Sequence, residues 1–144
     1  MGEHHMKMYE IKIYDTEPFG DDPISSVYAE LPNGVKAWFC HLADTQVTSF
    51  TPTVYFDLTP LYGENNIKVI DRRKVEEYYR NYERNFAYVC GNVVSIKDFE
   101  DKWYDIELEC LGIIFYLNIY KKSVPNIKVG CYLELEVSAA IGIE

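Results

Sequence analysis

The chain has 144 residues and a formal net charge of −9, from 14 Lys and Arg against 23 Asp and Glu. Its 48% of hydrophobic residues can bury a substantial core, which excludes wholesale disorder. The negative field repels phosphates, so nucleic acid is a disfavoured partner and a basic protein is a favoured one. The sequence contains neither an apolar run of the roughly 18 residues that span a bilayer nor a signal-peptide pattern, so we expect a cytoplasmic protein without membrane association.

The four cysteines are too far apart in the sequence for the Cys-x-x-Cys pair of a structural zinc site. Each stands in an apolar, strand-like run, where an unpaired cysteine usually packs as a small hydrophobic side chain. We therefore expect buried, reduced thiols at all four positions, and neither a metal site nor a cofactor. The positions are Cys40, Cys90, Cys110 and Cys131.

Residues 1–70 have the pattern of an antiparallel β half, in which short apolar runs alternate with turns. The pair Asn33-Gly34 separates the strand-like runs 24–31 and 35–42. Both residues tolerate the positive φ of a tight turn, so the pair predicts a β-hairpin at this point.

The pattern of residues 71–85 predicts one amphipathic helix that connects the two halves of the chain. Asp71 is suited to cap the start of this helix. An apolar stripe recurs at helical spacing and consists of Val75, Tyr78 or Tyr79, Tyr82 and Phe86. The run contains neither glycine nor proline, both of which disfavour a helix interior.

Residues 86–144 predict a denser series of strands. Apolar and charged side chains alternate from residue 103 to 111, and a second run over 113–120 follows the break at Gly112. Side chains two apart on a strand share a face, so one face of these two strands should be apolar and point inward. The opposite face should carry the charged residues of the first strand and the tyrosines of the second.

A glycine-centred strand, residues 89–96, precedes a polar turn, these two strands, and Lys128-Val129-Gly130 before a last strand. This arrangement resembles the OB-fold, whose first strand bends sharply, often at a glycine, and in which a Lys-x-Gly phrase introduces a later strand. The resemblance covers roughly residues 86–144 and lies in the pattern of strands. It implies a binding module that takes single-stranded nucleic acid, oligosaccharide or protein across its second and third strands.

The sequence therefore predicts a mainly β protein in three parts. These are an N-terminal antiparallel β half (1–70), one connecting amphipathic helix (71–85) and a C-terminal OB-like small β-barrel (86–144). No Gly- or Ser-rich linker separates the halves, and the amphipathic helix needs an apolar surface to lie against. We therefore expect the two halves to pack together.

One predicted surface combines aromatic rings with carboxylates on the outer face of the two central strands. Aromatics beside carboxylates suit a cationic ligand, a basic peptide or a sugar better than a phosphate-bearing strand. The alternative is that the N-terminal half, or a second copy of the chain in a homo-oligomer, covers the rings. The side chains of this surface are Trp103, Asp105, Glu107, Glu109, Tyr116 and Tyr120.

The leading hypothesis for function is a non-catalytic binding or regulatory protein that engages a protein partner, of basic character, through this acidic, aromatic-rich surface. One alternative is the binding of single-stranded nucleic acid or oligosaccharide by the OB-like barrel. Another is an enzyme with a composite site between the halves, built from His41 and carboxylates of the second half. No catalytic residue is predicted, because no nucleophile with a positioned base is identifiable.

Overall fold

The computed structural model describes residues 6–19, 22–41, 49–61, 66–71 and 75–143, and within these ranges the chain is mainly β. Its strands are β1 (Tyr9–Glu10), β2 (Lys12–Phe19), β3 (Asp22–Glu30), β4 (Lys36–His41), β5 (Thr53–Pro60), β6 (Lys68–Ile70), β7 (Tyr78–Glu83), β8 (Phe86–Phe99), β9 (Trp103–Cys110), β10 (Ile113–Tyr120) and β11 (Tyr132–Gly142). A 3-10 turn at Lys121–Ser123 follows β10. No helix in the described ranges is long and apolar enough to cross a membrane.

Five of these strands pair into a closed ring. β8, β9 and β10 follow one another as antiparallel neighbours, and β11 pairs antiparallel with β8. β5, from the first half of the sequence, closes the ring, because it lies parallel to β10 and antiparallel to β11. The backbone edges of β10 and β11 are therefore both satisfied by one strand from the other half of the chain.

The other strands extend the sheet from the margins of this ring. β4 lies parallel to β11, and β3 and β2 continue from β4 as antiparallel neighbours. β1 pairs with β5, β6 with β11 and β7 with β8. Strands from both halves of the sequence thus belong to one continuous sheet.

The core is built around aromatic side chains from both halves. Phe56 on β5 packs against Phe39 and Phe115, with ring centroids 5.1 Å and 5.3 Å away. Tyr79 stacks on Phe115 at 5.8 Å. The three phenylalanines are at most 1% exposed. Because aromatic rings bury the largest apolar areas in a core, the strands that carry them depend on one another for stability.

The hairpin predicted at Asn33-Gly34 is confirmed. β3 and β4 pair antiparallel on either side of the turn, and Gly34 has a φ of +86°. The Leu31 N–H donates to the Val35 carbonyl at 2.9 Å, and the Val35 N–H donates to the Asn33 side-chain oxygen at 3.0 Å. Glycine tolerates this left-handed conformation, which is why the dipeptide predicts the turn.

The helix predicted over residues 71–85 is wrong where the structure describes it. Residues 78–83 form β7, residues 75–77 have no regular structure, and residues 72–74 lie outside the described ranges. The aromatic residues that suggested a helix also favour a strand, and Tyr79 enters the core from one. Pairing with β8 provides ladder hydrogen bonds along one edge of residues 78–83, whereas side-chain pairs on a short helix contribute only a few tenths of a kcal/mol each.

Gly91, the glycine of the predicted bend, lies where β8 changes neighbours. Residues before it pair with β7, and residues after it pair with β9. A Cβ atom at Gly91 would lie 2.8 Å from the Glu109 carbonyl oxygen and 2.9 Å from Leu108 Cγ. Glycine therefore allows β9 to approach β8 closely at this point.

Candidate ligand-binding site

The strand register sets the side chains of the predicted surface next to one another. Across β9 and β10, Trp103 pairs with Tyr120 and Glu107 pairs with Tyr116. Asp105 stands between the two pairs on β9. Directly paired residues share a face of the sheet, so these side chains lie together on the outer face of the ring, opposite the buried apolar residues of the same strand.

One end of this face is covered by the start of the described chain. Tyr116 is only 6% exposed, and its hydroxyl oxygen accepts the Lys7 N–H at 2.6 Å. The Tyr9 hydroxyl oxygen accepts the N–H of Ile114, the partner of Glu109 in the register, at 2.9 Å. The sequence left open whether the N-terminal half or a second copy of the chain covers the rings. At this end of the face, a segment of the N-terminal half covers them.

The other end of the face is open and forms a cleft of about 460 Å³ between β5 and the strands β8 to β10. Three aromatic side chains lie side by side along it, because Phe99 pairs with Trp103 and Trp103 with Tyr120. The Trp103 and Tyr120 rings meet edge to face with centroids 4.6 Å apart, and Phe99 is 43% exposed. Other side chains that line the cleft are Asp57, Thr59, Pro60, Ile67, Asn118 and Ser123.

Asp57 is a candidate that the sequence analysis missed. It lies on β5, beside Tyr116 of β10 and Ala140 of β11, and it is half-buried in the cleft wall. Burial, and next the repulsion from the Asp105 carboxylate, raises the pKa of Asp57 to about 6. Among the described residues no ion pair involves Asp57, so in this part of the structure its charge has no cationic partner.

The charges next to the cleft are mostly negative. Asp105 and Glu107 stand on β9, and Lys97 of β8 pairs with Asp105 in the register. Lys121, which follows β10, forms an ion pair with Asp98 at 3.0 Å. Among the described residues, the carboxylates of this face therefore outnumber its cations, and their field favours a cationic or neutral molecule over an anion.

His41 and the four cysteines are not among the residues that line the cleft. His41 lies on β4. All four cysteines are free thiols; Cys90, Cys110 and Cys131 are buried as expected, whereas Cys40 is only half-buried. Burial raises the pKa of Cys90 to about 11 and that of Cys110 to about 12, so both thiols stay protonated at neutral pH. No cluster of His, Cys, Asp and Glu in the described ranges could hold a metal ion.

A second aromatic surface, here called the tyrosine surface, lies on β7, β8 and β11. The Tyr82 and Tyr88 rings have centroids 4.9 Å apart and are 42% and 48% exposed. The Tyr82 hydroxyl donates to Glu136, and the Tyr78 hydroxyl donates to Glu134 at 2.9 Å. The tyrosine surface is acidic and rich in tyrosine, and the sequence predicted a surface of similar composition on β9 and β10.

The similarity to known proteins lies in the fold. No protein-family model matches the sequence, and no curated protein matches it. Among solved structures, the cytoplasmic molybdate-binding protein ModG, in a crystal form with molybdate bound, is similar to this chain with a TM-score of 0.54 and 14% identity over 100% of both chains. At this identity the likeness shows the fold alone. It confirms, at the level of the fold, the OB-like and mainly β character predicted from residues 86–144.

Proposed function

We propose that this protein is a non-catalytic, cytoplasmic binding protein that holds a small ligand in the cleft. The observation that carries the proposal is the cleft itself, which has a volume of about 460 Å³ and aromatic walls from Phe99, Trp103 and Tyr120. Asp57 and Asn118 add polar groups to these walls. Small-molecule pockets typically have about 300–1,000 Å³ and combine apolar walls with a few polar groups, so the cleft meets both criteria.

The position of the cleft supports the same function. It lies on the outer face of β9 and β10, the strands that correspond in the OB-fold resemblance to the second and third strands. OB-folds use this face for binding. The similar structure, ModG, is a molybdate-binding protein, so a small ligand is compatible with this overall fold.

The chemistry of the cleft argues against an oxyanion as the ligand. Proteins hold oxyanions with cationic side chains and N–H groups. This cleft presents the Asp57 carboxylate instead, with Asp105 and Glu107 on the same face. We therefore propose a neutral or cationic ligand, and the same carboxylates disfavour single-stranded nucleic acid.

A blocking substitution tests the proposal. Thr59 is exposed and lines the cleft, so Thr59→Trp should fill the cleft without disturbing the core. Thr53 is an exposed threonine on the same strand, about 20 Å away, and Thr53→Trp is the matched control. In thermal-shift measurements against amines, sugars, nucleosides and oxyanions, at least one ligand should stabilise the wild type and T53W but not T59W. The proposal fails if no compound binds, or if T59W responds like the wild type.

A second candidate function, the binding of a protein partner, is favoured by the tyrosine surface. Tyr82 and Tyr88 expose large ring areas beside Glu136, and tyrosine is enriched at the centres of protein interfaces. Capture from the native cell with a Tyr88→Ser bait tests this candidate, and Tyr14→Ser, at an exposed tyrosine on β2, is the control. A partner lost only with Y88S would support it, and equal recovery with all baits would remove it.

A further inference from the structure

We infer that the ligand of the cleft is an organic ammonium ion, held by an aromatic cage of Phe99, Trp103 and Tyr120 and by the carboxylate of Asp57. This inference rests on the proposed function and extends it by naming the class of ligand. Aromatic faces and a nearby carboxylate are the two features that recognise such cations, because the ring quadrupole and the negative charge both attract them.

The three aromatic side chains form a row across three neighbouring strands of the cleft. Phe99, Trp103 and Tyr120 are consecutive partners across β8, β9 and β10, and all three line the cleft. Trp103 and Tyr120 are half-buried, with ring centroids 4.6 Å apart. A cation within about 6 Å of a ring centroid is attracted to its face, most strongly by tryptophan. Two rings this close can therefore contact the same ammonium group.

Five aromatic rings in the described ranges have a Lys or Arg side chain over them, and none of the five belongs to the cage. The Lys36 ammonium lies 4.8 Å from the Tyr14 ring centroid, and the Arg80 guanidinium lies 4.6 Å from that of Tyr78. Three more rings in the described ranges have such a contact, at distances of up to 5.8 Å. No Lys or Arg of the described residues lies over a ring of the cage. The faces of the cage rings are therefore not occupied by a Lys or Arg of the described residues.

Asp57 supplies the opposite charge in the wall of the same cleft, beside Tyr116 of β10 and four positions along that strand from Tyr120. It is half-buried in the cleft wall and makes no ion pair with a described residue. On the same face, Asp105 and Glu107 add negative charge, and Lys97 beside Asp105 offsets one of them. A carboxylate that burial has partly dehydrated gains more from a bound cation than a fully solvated one. The balance of charge among these residues therefore favours a positively charged ligand in the cleft.

An organic ammonium fits this cleft better than a metal ion does. Mg²⁺ and Ca²⁺ need about six or more oxygen ligands, many of them carboxylates or carbonyls. No group of three or more His, Cys, Asp or Glu side chains that could hold a metal occurs in the described ranges. A methylated ammonium, by contrast, is weakly hydrated and can cover the aromatic walls with its own apolar surface.

Isothermal titration calorimetry with choline tests the inference. Choline carries a quaternary ammonium, its carbon isostere dimethylbutanol has nearly the same shape without the charge, and molybdate represents the oxyanions. We expect choline to bind and dimethylbutanol to bind at least about tenfold more weakly, because the isostere loses the cation–π attraction. Molybdate should give no heat of binding, since the carboxylates repel it.

Two cleft variants and one control assign the binding to the cage. Asp57→Asn keeps the shape of the side chain, Trp103→Leu removes a ring face, and each should weaken choline binding by at least about tenfold. Glu83→Gln removes a carboxylate from β7, outside the cleft, and should leave the affinity unchanged. Circular dichroism checks the fold of each variant. If W103L does not fold, Tyr120→Leu tests the same cage.

Equal binding of choline and dimethylbutanol, or an undiminished affinity in D57N, would overturn the inference. If choline does not bind but a neutral compound binds in a manner sensitive to Thr59→Trp, the inference fails and the proposed function stands. If neither these probes nor any compound of the thermal-shift panel binds the cleft, both fail.

Discussion

Replacing Asp57 with asparagine should stabilise the folded protein at neutral pH, although the same change should weaken the binding of a cation. Burial, and next the Asp105 carboxylate, raises the pKa of Asp57 from 3.8 to about 6 in the folded state. The folded protein therefore holds the Asp57 proton more tightly than the unfolded chain does. The charged carboxylate opposes folding, and asparagine removes the charge with nearly the same shape.

The pH dependence of this effect follows from the direction of the pKa change. Below about pH 4, Asp57 is protonated in both states, and its bound proton contributes its full stabilisation. The unfolded chain loses the proton first as the pH rises, so the stabilisation is lost as the pH passes the folded-state pKa of about 6. The extra stability of the Asp57→Asn variant over the wild type should therefore be largest above about pH 6, decrease between about pH 6 and about pH 4, and vanish below that.

The size of the effect can be bounded from the same pKa values. The difference between 3.8 and about 6 corresponds to about 3 kcal/mol, at about 1.4 kcal/mol for each pH unit. Because Asp57 is only half-buried, water screens much of this energy, and we expect about 1 kcal/mol. For a chain of this length that difference raises Tm by about 3 °C.

Urea denaturation of the wild type and D57N at about pH 8 and about pH 4.5 measures the effect. The variant should be more stable by about 1 kcal/mol at the higher pH and by only about 0.3 kcal/mol at the lower. Asp101→Asn, in an exposed turn, controls for the loss of one negative charge and should show neither change. A D57N variant less stable than the wild type at about pH 8, or an advantage that does not depend on pH, would refute the reasoning.

Three further predictions concern the framework around the cleft. Gly91→Ala should lower the free energy of unfolding by about 1–3 kcal/mol, because the new methyl group would lie 2.8 Å from a carbonyl oxygen of β9; an unchanged urea midpoint would contradict that close approach. Tyr79→Phe removes a buried hydroxyl that donates to a backbone carbonyl of β4 at 3.2 Å, and it should lower the free energy of unfolding by about 1 kcal/mol. Tyr88→Phe, on the exposed surface, should leave that free energy almost unchanged. Equal effects of the two substitutions in urea denaturation would count against this hydrogen bond. Cys90 and Cys110, whose pKa values burial raises to about 11 and about 12, should react with a thiol reagent at about pH 8 only after unfolding, and rapid labelling of either in the native protein would show that the thiols are accessible.

Local signals in the sequence were sufficient for the features that depend on nearby residues. The Asn33-Gly34 pair predicted the hairpin because the turn conformation is a property of those residues themselves. The alternation along β9 predicted its faces, and Ile106 and Leu108 are indeed buried while Asp105 is only partly so. In both cases the physical cause lies within a few positions of the pattern.

Long-range pairing determined the features that the sequence did not reveal. The run 78–83 fits helical and strand spacing, and the contact with β8 selects the strand. Asp57 enters the cleft because β5 lies parallel to β10, and Phe99 joins the aromatic row through the register of β8 with β9. No pattern along the chain encodes either neighbour, so neither residue was a candidate.

The surface predicted on β9 and β10 is divided by the start of the described chain. Trp103 and Tyr120 line the open cleft, whereas Tyr116 is covered by the segment that contains Lys7. The sequence could not distinguish these ends, because the cover comes from residues more than a hundred positions away. That the surface binds a ligand or partner stays a prediction.

The indole N–H signals of the two tryptophans provide the most direct test that the cleft binds a cation. Trp103 lines the cleft, whereas Trp38 lies on β4 with its ring 5.2 Å from that of Tyr28, and Trp38→Phe assigns the two signals in a nitrogen–proton correlation spectrum. During a choline titration the Trp103 signal should move and saturate while the Trp38 signal stays in place. Dimethylbutanol should move the Trp103 signal only at concentrations at least about tenfold higher. A Trp103 signal that stays in place at saturating choline, or a joint movement of both signals, would contradict a binding site in the cleft.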